Sequence, residues 1–184
     1  VCRHLSHRVA ATFSAAQAGA ITTCYAVAGG TDYSYSAPIN AGIYDVFVTT
    51  AGGPGYNALN TPTKVGTITI NKANTAISVT ANPTAGQTRP NSITLSATGL
   101  PEGATGTLTF KASGNVIGTP VSVGQSVSFA ASGSANSYLF TVVYSGDSNY
   151  ASATSGNLIY GFTKGEQSAL SFAAGTPTAK TYGD

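Results

Sequence analysis

The feature that most constrains this chain is a sentence it writes twice. "NAGIYDVFVTTAGGPGYNALN" begins at Asn40 and "SANSYLFTVVYSGDSNYASAT" begins at Ser134. With Tyr44 placed on Tyr138, an offset of 94, Val46 meets Phe140, Val48 meets Val142, Gly52 meets Gly146 and Tyr56 meets Tyr150 without a gap. Both copies lead into a closing strand that ends in lysine, "GTITINK" at 66–72 and "GNLIYGFTK" at 156–164. Each lysine precedes a short hinge and a new alternating stretch, "TAISVT" and "SALSF". A period of this size holds one small β-sandwich of roughly 100 residues. Joints are therefore expected just after Lys72 and just after Lys164.

Alternation of apolar and polar residues, the mark of a half-buried strand, runs through the whole middle copy. One face collects Ile77 and Val79, then Ile93, Leu95 and Ala97, then Leu108 and Phe110. Val127, Phe129, Tyr138, Phe140, Val142, Tyr144, Leu158, Tyr160 and Phe162 continue it. "SGN" at 113–115 reads as a hairpin turn between "TLTFKA" and "VIGTPVSV". About seven short strands separated by turn signals predict an all-β chain of tandem Ig-like Greek-key sandwiches. Ala content makes "ATFSAAQAGA" at 11–20 the best helical stretch, but Gly19 and the lack of a charged face argue against one.

Charge adds limits on partners. Only 8% of residues are charged, the net charge is +2, and no Lys or Arg occurs from Val9 to Thr63. That is too weak a footprint for nucleic acid, which is read through clustered cations. No run approaches the roughly 20 apolar residues that span a bilayer, so no membrane insertion is expected. A surface wetted by hydroxyls fits a secreted chain. "VCRHLSHRVA" lacks the apolar core of a signal peptide, which makes this stretch an internal piece of any exported protein. Cys2 and Cys24 either pair in an oxidising compartment or remain two thiols.

Two motifs carry a resemblance. "TGTLTFKASGNVIGTPVSV" followed by "SYLFTVVYSGDSNYASATSG" resembles the group 3 bacterial Ig-like repeats, although "PEGATGTLTF" has two extra residues before the strand. "SYSAPINAGIYDVFV" to "GTITINKA" is similar to MBG-type surface repeats, and the tail "SALSFAAGTPTAKTYGD" looks like the opening of another. On this basis residues 1–72 are the C-terminal part of an MBG-type repeat with a ragged N-terminal arm. Residues 73–164 are a complete group 3 sandwich, and 165–184 hold the first strands of a further MBG-type repeat. The resemblance implies a non-catalytic structural repeat of a large secreted or surface-attached bacterial protein, a semi-rigid stalk in an adhesin-like molecule. Its partners would be the neighbouring repeats and a host or environmental glycan or protein. The alternative is a carbohydrate-binding or adhesion module that uses exposed tyrosines.

Candidate chemistry is sparse, and no cofactor is expected. Asp147 with Asn149 is where a calcium ion would bind, but six to eight oxygens are needed and no second carboxylate is near in sequence. The first copy has Gly53 at the aligned position, so a turn is the preferred reading. Tyr33 and Tyr35, on one face of a short strand, would form a glycan platform if that face is exposed; packing is the preferred reading. Tyr44 and Tyr138 are expected to face the core with their hydroxyls at the sheet edge. Cys2, His4 and His7 lack a fourth zinc ligand. "GPGYNA" at 53–58 lies in a turn with no helix after it, which rejects nucleotide binding. An isopeptide bond from Lys111 or Lys164 would need Glu102 or Asp147 as its acid, both in turn contexts.

Overall fold

A computed structural model describes residues 19–88, 91–132 and 137–165, and every regular element among them is a strand. The readings placed on Cys2, His4 and His7, on most of 11–20, and on 166–184 lie outside the described residues. The first unit is an antiparallel sheet of β1 (Ile21–Val27), β2 (Gly42–Thr50) and β3 (Leu59–Ile70), in that spatial order.

The second unit has two layers. One consists of β4 (Ser78–Asn82), β6 (Ser92–Thr98) and β10 (Val127–Ala130), ordered β10-β6-β4. The other includes β5 (Gln87–Thr88), β7 (Thr107–Ala112), β8 (Asn115–Val116), β11 (Ser137–Tyr144) and β13 (Leu158–Thr163), ordered β5-β13-β11-β7-β8. Two short strands, β9 (Val121–Ser122) and β12 (Ala153–Thr154), pair with β7 and β11. The chain passes from β6 to β7 across layers, returns to β10 beside β6, and crosses again to β11 between β7 and β13. That path is a Greek-key sandwich with the layer arrangement of an immunoglobulin fold. Among its described strands, all pairings are antiparallel except β13 with β5, where Phe162 lies opposite Gln87.

Period-2 patterning places the core. Along β11, Phe140, Val142 and Tyr144 are fully buried while the residues between them are not. Ile77, Val79, Ile93 and Leu95 face them from the first layer. Leu108, Phe110, Tyr160 and Phe162 complete the second. Each such side chain contributes roughly 1.5–3 kcal/mol when withdrawn from water. Phe129 of β10 closes one end, meeting Tyr138 and Phe140 edge-on with ring centroids 4.9 Å apart in both cases. The hairpin after β7 turns through Ser113 and Gly114, whose φ values of 47° and 86° match a two-residue type I′ turn. "VIGTPVSV" does not run as one strand. It splits into β8 and β9 around Gly118, which has φ 64°, and Pro120, which lacks a donor for the ladder.

The two copies share a register as well as a motif. Tyr44 lies opposite Ile68, and Tyr138 opposite Tyr160. Strands β1, β2 and β3 thus correspond to β7, β11 and β13. Alternation in β2 is hidden, because Asp45, Val46, Phe47 and Val48 are all buried. Val46 and Val48 occupy the face that is interior in the second unit. Asp45 and Phe47 occupy the other, where Tyr33 packs on Phe47 at 4.9 Å and 76°. Register shifts beside Val46/Phe47 and Val48/Thr50 twist β3 against β2.

Candidate functional site

The Gly-Asp-Ser-Asn-Tyr loop lies where the two units meet. Its path is set by Gly146, with φ 76°; a Cβ there would come within 2.8 Å of the Ser152 nitrogen and 2.9 Å of the Tyr150 oxygen. Gly52 repeats this geometry, with φ 76° and clearances of 2.8 Å to the Ala58 nitrogen and 3.1 Å to the Tyr56 oxygen. Only glycine fits such a position without strain. Both loops then close alike: the Asp147 N–H donates to the Tyr150 carbonyl at 3.0 Å, and the Gly53 N–H to the Tyr56 carbonyl at 3.1 Å.

The acid makes the difference between them. Asp147 Oδ1 accepts from the N–H groups of Asn149 and Tyr150, both at 2.8 Å. Its Oδ2 accepts from the Thr105 N–H at 2.8 Å, the Tyr144 hydroxyl at 3.1 Å and the Thr105 hydroxyl at 3.2 Å. The Thr105 N–H, followed by those of Asn149 and Tyr150, holds the carboxyl far below its ordinary range although burial opposes this. Burial and then the adjacent carboxylate push the Tyr144 hydroxyl up to about 12. A cation approaching this carboxylate meets hydrogens on every side. In the first copy the residue aligned with Tyr144 is Thr50, whose hydroxyl accepts from the Leu59 N–H instead, so no phenol is there to steady an acid.

Asn149, the other candidate metal ligand, points elsewhere. Its Oδ1 accepts from the Ala41 N–H at 2.9 Å, and its Nδ2 donates to Asn40 Oδ1 at 3.1 Å. The connector is stitched to the same loop. Ala73 N–H donates to the Asn149 carbonyl at 2.8 Å, Ala151 N–H to the Ala73 carbonyl at 2.9 Å, and the Thr75 hydroxyl to the Ala151 carbonyl at 2.9 Å. The Lys72 ammonium reaches the Asp147 carbonyl. Asp147 therefore folds the loop, and the folded loop grips both the connector and the 40–41 corner of the preceding unit.

The tyrosines fall into two groups. Tyr33 and Tyr35 flank Ser34, which pairs with Tyr25 in an isolated bridge. Tyr33 packs edge-on against Phe47 and stays 37% exposed, and Tyr35 is 69% exposed. A bend at Tyr35 ends the extended stretch. Tyr44 and Tyr138 do return their hydroxyls to upstream backbone, Tyr44 to the Asn40 carbonyl at 3.1 Å and Tyr138 to the Ser132 carbonyl at 2.6 Å.

One site escaped sequence reasoning. Asp45 is 4% exposed and accepts from Lys64 Nζ at 2.7 Å, the Thr67 hydroxyl at 2.9 Å and the Gly29 N–H at 3.0 Å. The Lys64 hydrogen bond chiefly lowers its carboxyl to about 2. The buried acid Asp45 is held in an ion pair by the exposed Lys64, away from Lys111 and Lys164. An acid inside a strand of apolar neighbours was the available signal. Among the described residues, no three His, Cys, Asp or Glu side chains come together. No helix among them is long and apolar enough to cross a membrane.

No family model matches the chain. A search of curated proteins finds no match either. Among solved structures, the chain is similar to fibronectin(III)-like modules of CbhA from Clostridium thermocellum, with 11% identity over 83% of each chain and a TM-score of 0.36. The assignment to a Greek-key sandwich rests on strand order and register.

Proposed function

We propose that this chain is a non-catalytic spacer, one stretch of a stalk of tandem sandwich units in a secreted or surface-attached bacterial protein of adhesin-like type. In this reading residues 1–72 end one MBG-type repeat, 73–164 form a group 3 Ig-like repeat, and 165–184 open the next. The observation that carries it is the clasp at the joint, where the Asp147 loop bonds to Lys72, Ala73 and Thr75 and also to Asn40 and Ala41. A free hinge needs no such contacts, since each fixes backbone or side-chain freedom at an entropic cost. Bonds from one loop to two separate segments of the neighbouring unit resist both bending and twisting. With strands of about nine residues at roughly 3.3 Å rise plus loops, each sandwich holds its neighbours about 30–40 Å apart. The partners are then the adjoining repeats, and a distal domain would make any contact with a host or environmental glycan or protein.

Backbone 15N relaxation on the full chain tests the reading. Rigid joining gives one rotational correlation time for amides of β2 and β11, and Asn149→Ala with Lys72→Ala splits it into two. Two independent times in the unaltered protein would overturn the spacer.

A further inference from the structure

The two oxygens of the Asp147 carboxylate face two ways. Oδ2 is held by the second sandwich, through the Tyr144 hydroxyl at 3.1 Å and the Thr105 N–H and hydroxyl at 2.8 and 3.2 Å. Oδ1 is held by its own loop, through the N–H groups of Asn149 and Tyr150, both at 2.8 Å. That loop reaches the first unit through the Asn149 side chain, at Ala41 and Asn40. A continuous path of hydrogen bonds therefore runs from the second core to the first unit, and the acid is its middle link.

The inner end of this path is fixed by packing. Tyr144 is 0% exposed and belongs to the core of the second unit. On β11 it lies opposite Leu108 of β7 and Ala153 of β12, so strands flank it on both sides. Close approach fixes Thr105: at Gly106, with φ 93°, a Cβ would come within 2.6 Å of the Gly146 carbonyl oxygen. A tyrosine so held has already lost its rotamer freedom in forming the core, so its hydroxyl orients the carboxylate at little further entropic cost. Hydrogen bonds to an ionised acceptor are also about twice as strong as neutral ones.

The first unit lacks every member of this path. The residues aligned with Tyr144, Asp147 and Asn149 are Thr50, Gly53 and Gly55. The bend glycine and the loop tyrosine stay, as Gly52 and Tyr56. The three side chains are thus not needed for the path of the loop, and they are replaced together.

We infer that Tyr144 is a positioning residue for the joint. Its core-held phenol fixes the Asp147 carboxylate, and through it the loop that grips the preceding unit, so the joint stiffens only against a packed second core. This relay rests on the clasp of the proposed spacer, whereas the clasp does not require the relay.

Tyr144→Phe tests it, since the variant keeps the buried ring and removes the hydroxyl. In amide exchange on the full chain, the Ala41 N–H should exchange about three to ten times faster. That is less than the full effect of one bond to a charged group, because Thr105 still holds Oδ2. Val142 N–H, inside the core, should be unchanged. Tyr138→Phe is the control: it makes the same chemical change on the same strand, but the lost hydroxyl donates to the Ser132 carbonyl, and Ala41 should not respond. In an Asn149→Ala background, Tyr144→Phe should add nothing at Ala41, because the link beyond the acid is already cut. Unchanged exchange at Ala41 in Tyr144→Phe, an equal effect from Tyr138→Phe, or additive effects of Tyr144→Phe and Asn149→Ala would each overturn the relay. Equal acceleration at Ala41 and Val142 would overturn it too, since the hydroxyl would then serve the core alone. If Tyr144→Phe leaves Ala41 unchanged while the unaltered protein shows one rotational correlation time, the relay falls and the spacer stands.

Discussion

Replacing Asn149 by alanine removes the two side-chain bonds that tie the Asp147 loop to the 40–41 corner. The bond from Ala41 N–H is 2.9 Å long and partly buried, and a net hydrogen bond of this kind contributes about 0.5–1.5 kcal/mol. The exposed amide pair with Asn40 adds less, because water competes for both groups. Together they amount to about 1–2 kcal/mol, felt locally at the joint. Amide exchange reads this directly: the Ala41 N–H should exchange roughly five to thirty times faster in the variant. Val142 N–H, which donates to the Ser155 hydroxyl inside the second core, should be unchanged. Asn149→Asp keeps the acceptor and loses the donor, so it should retain most of the protection. Unchanged exchange at Ala41 would refute the clasp. Equal acceleration at Ala41 and Val142 would refute it too, since the residue would then support the second unit as a whole.

Three further outcomes follow from the same geometry. Gly146→Ala should lower the melting temperature clearly more than Gly103→Ala; both glycines have φ 76°, but only Gly146 would press a Cβ within 2.8 Å of backbone. In denaturant titration, Leu95→Ala, at a site with 0% exposure, should cost about 2–5 kcal/mol, while Ile159→Ala, at 70% exposure, should stay within about 0.5 kcal/mol. Asp45 and Asp147 have carboxyls lowered on folding, so their contribution is present above the ordinary value of 3.8 and lost as pH falls toward about 2 and below. Tyr144 is raised to about 12, so its contribution is present below 10 and lost as pH climbs through 12. Thermal melts should therefore be flat near neutrality and fall at both extremes, and Asp45→Asn should soften the acid fall.

The middle unit was legible because its strands obey one rule. Period-2 spacing in "SYLFTVVY" turns Tyr138, Phe140, Val142 and Tyr144 to one side, and the coordinates bury the last three completely. Ile93, Leu95, Leu108 and Phe110 follow the same rule across the layers. The 94-residue register also carried structural content, since Gly52 and Gly146 share φ and clearances. The first unit was harder to read. Both faces of β2 are covered, so Asp45 and Phe47 disappear from view as readily as Val46 and Val48, and alternation gives no sign of the second covering. That covering depends on where 28–36 folds back, which also brings the Gly29 N–H to Asp45 and seats Tyr33 on Phe47. Asp147 was readable as a turn residue. Its service to the joint was not, because Asn149 and Asn40 are 109 positions apart and no local pattern links them.

The twin loops show that the backbone path and the acid are separable. Glycine alone is enough to bend the chain at 52 and 146, and the carboxylate at 147 accepts five hydrogen bonds without altering that bend. Units of this kind strung in series would vary in articulation from one linkage to the next through a single side chain, as vertebrae vary along a spine.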